Sequence, residues 1–191
     1  MPDTSTQYRV IVSDGTCEDT ATITVDLHPL PPAEAGPDQE ICNTQATQLQ
    51  ASGGSTYEWS PSIGLDNKDI ADPTASPSST KTYRVTVTDT NGCQKTDDMT
   101  LTVHPLPQTE AGPDQEICRN DTTQLLAEDN ANSYEWRPQN TISNANAVQP
   151  SAFPVSTTTY QLVATNQYGC VDSDRVDVAV RPLPKCHLRS Q

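Results

Sequence analysis

The octapeptide Ala35-Gly36-Pro37-Asp38-Gln39-Glu40-Ile41-Cys42 returns unchanged at Ala111–Cys118, 76 residues further on. Landmarks on either side return with nearly the same offset. Tyr57-Glu58-Trp59 reappears as Tyr134-Glu135-Trp136, Thr82-Tyr83 as Thr159-Tyr160, and Pro105-Leu106-Pro107 as Pro182-Leu183-Pro184. A fixed internal period defines the structural unit before any single motif is read. The chain is therefore a tandem array. Complete modules are expected at 33–108 and 109–184, with a divergent tail at 185–191. Residues 1–32 match only the end of a module: Tyr8-Arg9-Val10 stands for Tyr83-Arg84-Val85, Cys17 for Cys93, and His28-Pro29 for His104-Pro105. This partial module is expected to supply the last two strands alone. The rest would come from upstream sequence or from a neighbouring subunit.

Within a module the apolar residues alternate. Tyr83, Val85 and Val87 share one face of a run whose other face carries Arg84, Thr86 and Thr88. Met99, Leu101 and Val103 repeat the pattern after the Asn91-Gly92 turn, so the two runs read as an antiparallel hairpin with one polar face. The partial module shows the same pattern, with apolar strands near Gln7–Ser13 and Thr20–Leu27. Further short strands are expected around Leu49 and Ala51 and around Tyr57 and Trp59, with Pro61 ending the latter. Helix signals are nearly absent. Many short strands in under a hundred residues predict an all-β fold: tandem immunoglobulin-like β-sandwiches joined by Pro-rich linkers. Tyr57, Trp59, Tyr134 and Trp136 are the expected core anchors, since large aromatics on alternating strands are more often core than ligand platforms.

Small sandwiches bury little surface and need staples. Each module has one cysteine closing the octapeptide and one after its late glycine. Cys42–Cys93 and Cys118–Cys170 are thus expected disulfides, closing loops of 51 and 52 residues worth roughly 4 kcal/mol each in the chain-entropy model. The cysteines are too dispersed for a zinc cluster. Cys17 and Cys186 are left as free thiols or as partners in intermolecular bridges. Disulfides imply an extracellular or cell-surface location. MPDTSTQYRV has neither a basic region nor an apolar core, so any export signal is expected to lie outside this sequence.

The formal net charge is −14, and each module holds ten acidic and four basic residues. Without a basic patch to neutralise phosphates, nucleic acid is not an expected partner. No apolar run reaches spanning length, so direct membrane insertion is not expected. No catalytic residues stand out. His28 and His104 share one repeat position that Arg181 fills in the last module. They therefore read as solvent-facing linker residues rather than as bases. No nucleophile elbow or phosphate loop occurs.

The pattern AGPDQEIC … TYEWSPSIGL … TYRVTVTDTNGC … VHPLP resembles the immunoglobulin-like repeats, akin to PKD modules, of large Bacteroidota surface proteins. These include gliding-motility adhesins and proteins exported by the type IX route. The resemblance covers residues 1–184, while the tail KCHLRSQ departs from the family's sorting domains. It implies non-enzymatic structural or adhesive work as a stalk, adhesin or filament. The expected partners are neighbouring repeats or copies of the same protein, with a surface glycan or protein ligand besides. The alternative is a set of glycan- or ligand-binding accessory modules in a secreted protein. No cofactor is implied except calcium, which PKD-type modules sometimes hold near the N-terminal linker. The candidate ligands are Asp38, Glu40, Asp97 and Asp98, with Asp114, Glu116, Asp172 and Asp174 in the next module. Thr20 and Thr122 sit in Asp-Thr sequences that resemble Bacteroidota O-glycosylation sites.

Overall fold

A computed structural model describes residues 3–128 and 130–182. The tail at 185–191, with Cys186, lies outside the described residues. The chain is all-β, and its contacts divide it into two units. The first holds residues up to Gln39 together with Ala46–Thr102. The second holds Val103 onward together with a segment of the earlier repeat, Glu40–Gln45.

The repeat at 33–108 begins with strand β3 (Gln39–Cys42), after the N-terminal hairpin of β1 (Thr6–Ser13) and β2 (Glu18–Val25). It continues through β4 (Thr47–Gln48), β5 (Thr56–Ser60), β6 (Thr74–Ala75), β7 (Lys81–Thr88) and β8 (Gln94–His104). Four of these form one sheet in the order β3-β8-β7-β5, and β4 pairs with β6 in the opposing layer. The repeat at 109–184 has the same plan. Its strands are β9 (Gln115–Cys118), β10 (Thr123–Gln124), β11 (Ser133–Arg137), β12 (Ser151–Ala152), β13 (Thr158–Thr165) and β14 (Val171–Arg181). The order is β9-β14-β13-β11 against β10-β12. This is the immunoglobulin-type arrangement of a C-F-G sheet over a smaller sheet. In the second repeat the first strand is added in parallel to the last, with Val178 opposite Gln115 and Arg181 opposite Cys118.

The alternation seen in the sequence becomes burial. Tyr83, Val85 and Val87 of β7 and Met99 and Leu101 of β8 are closed off from solvent, packed with Leu49, Ala75 and Trp59 in the core. The second repeat buries Trp136, Tyr160, Leu162, Val176 and Val178 around Leu125 and Ala152. Each Trp also satisfies its polar edge. Nε1–H of Trp59 donates to the Ile70 carbonyl at 3.0 Å, and that of Trp136 to the Ala147 carbonyl at 3.1 Å. Tyr134 is buried, whereas Tyr57 is only half-buried and donates its hydroxyl to the Gly54 carbonyl.

The octapeptide's conserved shape in both repeats has a local cause. Gly36 and Gly112 adopt positive φ, and a Cβ at either would lie 2.8 Å from a backbone carbonyl oxygen, that of Gln50 or Leu126. Only glycine lets the chain pass there.

The N-terminal hairpin is bare by comparison. Its register places Tyr8 opposite Ile23 and Val10 opposite Ala21. Tyr8, Val10, Val12, Ile23 and Val25, which occupy the same repeat positions as the buried face of β7 and β8, are all exposed.

Candidate functional site

The densest cluster of unusual side-chain chemistry lies in the second unit, where Glu40–Gln45 meets the turn between β13 and β14. That turn is built by Asn166, whose Oδ1 accepts the backbone N–H groups of Tyr168 and Cys170 at 3.0 Å each. The same side-chain closure recurs at Asp89, which accepts from Asn91 and Cys93, and at Asp14, which accepts from Thr16 and Cys17. An Asx side chain holding its own turn explains why Asp or Asn stands at this position in every copy. Asp89 feels burial, which raises its pKa. The N–H groups of Cys93 and Asn91 and the nearby charge of His28 outweigh this and hold it below the usual carboxylate range.

Around the Asn166 turn the contacts converge. Asn166 Nδ2 donates to the Pro105 carbonyl at 2.8 Å, and Asn43 N–H donates to the His104 carbonyl at 2.8 Å. The His104 ring stacks on Tyr168 with centroids 3.9 Å apart, while its Nε2 lies 2.9 Å from Glu40 Oε2. The His104 side chain is only 15% exposed. The expectation of a solvent-facing linker histidine is corrected for His104, although His28 is exposed. The repeat position is a pairing site: Arg181 meets Glu116 at 2.5 Å as His104 meets Glu40.

At the centre of the cluster Cys42 is bonded to Cys170, with Cα atoms 5.5 Å apart and 128 residues between them in sequence. The expected Cys42–Cys93 and Cys118–Cys170 pairs are not formed. Cys93 is a free, half-buried thiol, Cys17 is free and exposed, and Cys118 is disulfide-bonded. The geometry of the sheet dictates this. Cys118 lies opposite Arg181, at the end of an eleven-residue strand whose first residue follows Cys170. At about 3.3 Å per residue the two cysteines of one repeat are held on the order of 35 Å apart, far beyond the span of a disulfide. The early cysteine therefore reaches the late cysteine of the following repeat.

The acidic candidates divide into two kinds of contact. Asp97 Oδ2 accepts from Ala35 N–H at 2.8 Å and Asp174 Oδ2 from Ala111 N–H at 2.9 Å. Asp38 Oδ1 accepts from Thr100 N–H at 2.7 Å and Asp114 Oδ1 from Asp177 N–H at 2.8 Å. Glu40 pairs with His104 and Glu116 with Arg181 of the last strand, and Asp98 forms a two-point pair with Arg84 at 2.6 and 2.7 Å. Asp172 is half-buried on β14. Among the described residues no group of three or more His, Cys, Asp or Glu is arranged to hold a metal ion. What the sequence reading missed is that the recurring aspartates stitch each octapeptide to the last strand. Their recurrence in step with the scaffold was the available signal. Thr20 and Thr122 are both exposed.

No protein-family model matches the chain. It is similar to the "Dyslexia-associated protein KIAA0319-like protein" of Mus musculus, 36% identical over 56% of this chain, and it spans 12% of that protein's length. Among solved structures it is similar to a three-immunoglobulin-domain segment of titin, at 11% identity over 93% of this chain and 75% of that one, TM-score 0.48. It is also similar to the insect immune protein hemolin, at 12% identity over 94% and 57%, TM-score 0.44. The PKD domain from KIAA 1837 protein is 26% identical over 40% of this chain and 87% of that domain, TM-score 0.34.

Proposed function

We propose that this chain is a non-enzymatic extracellular repeat segment that bears load in a stalk, adhesin or filament at a cell surface. The observation that carries the reading is the Cys42–Cys170 bond, which joins the cysteine closing one repeat's first strand to the late turn of the next repeat. A bond across consecutive repeats limits how far the chain can be drawn out, a use that a compact catalyst does not need. Disulfides persist in oxidising compartments, which supports a site outside the cytoplasm. The bacterial surface setting follows the motif resemblance to Bacteroidota repeats.

The test is to pull the chain by its ends with and without reductant. While Cys42 is bonded to Cys170, the 128 residues between them cannot contribute to extension. Reduction is expected to release at least that length, roughly 430 Å of extended chain. Equal extension under both conditions would remove the load-bearing reading.

The second reading, ligand-binding accessory modules, has one observation in its favour. Phe153 and Ile63 are exposed on the irregular loops beside the sheets. A glycan array that lit up with the wild-type chain and went dark with Phe153→Ala would favour it.

A further inference from the structure

Two features of the first unit correspond to seats that are filled elsewhere in the chain. The first is the edge of the N-terminal hairpin. In both complete repeats the last strand is eleven residues long and neighbours the octapeptide strand; in the second repeat the two pair in parallel, Val178 to Arg181 against Gln115 to Cys118. β2 is the equivalent last strand, with Cys17 aligned to Cys170 and His28 to Arg181. It is eight residues long and ends at Val25, the position equivalent to Val178. The strand stops where the parallel partner would begin. Among the described residues no strand lies beside Asp26–His28, equivalent to the paired Ala179–Arg181, and all of β2 is exposed.

The second feature is Cys93. Its turn is closed by Asp89 in the manner of Asn166 at Cys170, and His28 acts on Asp89 from the linker position that His104 occupies beside the other turn. The Cys170 seat shows what such a turn receives: the cysteine at the end of an octapeptide strand lying along the preceding last strand. In the Cys93 seat the thiol is unbonded.

We infer that the first unit is a receptor for the octapeptide strand of another repeat of this type, which lies parallel to β2 at Val25–His28 and bonds its terminal cysteine to Cys93. A strand added to an open sheet edge gains backbone hydrogen bonds, and its alternate side chains set the register. The occupant is a strand whose cysteine is still available, since Cys42 and Cys118 of this chain are both already in disulfides. The inference extends the array reading but is tested apart from it, because the pulling experiment reports on disulfides already formed and not on the free Cys93 thiol.

The probe is an eleven-residue peptide with the sequence AGPDQEICNTQ, residues 35–45, its cysteine carried as a mixed disulfide with glutathione. It is added to the full oxidised chain. The Cys93 thiolate attacks the peptide sulfur, a Cys93–peptide disulfide forms, and glutathione leaves as a thiolate that takes up the proton Cys93 lost. No net oxidant is consumed. Untemplated exchange favours the exposed Cys17 over the half-buried Cys93. Non-reducing peptide mapping is expected instead to find the adduct on Cys93, about tenfold or more over Cys17, because docking raises the local thiol concentration there. A scrambled peptide should reverse that preference. A peptide with serine in place of cysteine should still slow amide exchange at Val25–His28 in both the wild-type chain and Cys93→Ser. The inference is overturned if Cys17 reacts as fast as Cys93 with the native peptide. It is equally overturned if the scrambled peptide labels Cys93 as well, or if the β2 edge gains no protection.

Discussion

Cys42 and Cys170 stand 128 residues apart in the chain and are joined by a disulfide, although each has a cysteine of its own repeat nearer in sequence. The bond sits beside the His104–Tyr168 stack and the Glu40–His104 pair, so one side of the second unit combines covalent, aromatic and hydrogen-bonding contacts. The covalent one dominates, because a single hydrogen bond contributes about 1 kcal/mol net.

Replacing Cys42 with Ser is therefore expected to destabilise the second unit by up to about 5 kcal/mol, the chain-entropy value for a loop of this length. Thermal denaturation of Cys42→Ser and Cys170→Ser should show matching losses, and Cys93→Ser should cost little. Non-reducing digestion that recovered a Cys42–Cys93 peptide pair would contradict the observed connectivity.

The array and its sandwich class were legible because alternation and repeated landmarks survive at every level, from Tyr83-Arg84-Val85-Thr86-Val87 to the octapeptide. The disulfide was not. In an array, pairing within a repeat and pairing with the next repeat leave identical cysteine spacings, so spacing cannot choose between them. The deciding fact is directional: the octapeptide strand runs parallel to the end of the last strand, not beside its starting turn. The role of Asp97 and Asp174 was hidden for a related reason. A recurring carboxylate looks the same in sequence whether it binds an ion or a backbone amide.

Those aspartates give a second prediction. Ala35 and Ala111 are buried, and their N–H groups depend on Asp97 and Asp174. Asp97→Ala or Asp174→Ala leaves a buried donor without its acceptor and should cost about 1–3 kcal/mol. The Asn substitutions keep an acceptor oxygen and should cost less. A calcium ligand would behave differently. If calcium raised the melting temperature of the wild-type chain and Asn abolished that rise, the carboxylates would be ligands rather than backbone acceptors.

The indole N–H groups give a third. Trp59→Phe and Trp136→Phe keep most of the apolar burial but leave the Ile70 or Ala147 carbonyl without its donor. A loss of about 1–3 kcal/mol is expected for each, against about 3–5 kcal/mol for Trp→Ala. Urea denaturation followed by circular dichroism distinguishes the two. Equal losses for Phe and Ala would show that the hydrogen bond, and not ring packing, carries the contribution.

Alkaline pH should act through Tyr83 and Tyr160. Burial raises the pKa of both phenols above the ordinary 10.0, and the Thr141 hydroxyl offsets part of the effect at Tyr160. The sign follows from where each state ionises. The unfolded chain releases these protons near pH 10, while the folded chain holds them to higher pH. The stability they confer is complete below about pH 10 and is lost as pH rises through the folded values. Tyrosinate absorbance should therefore rise in two phases. Tyr83 and Tyr160 ionise in the second, with loss of sheet structure. Tyr83→Phe should shrink the second phase by about half, since one of its two phenols is gone. An unchanged second phase in that variant, or a single phase near pH 10 with the β-sheet signal intact, would show that these phenols ionise without opening the core.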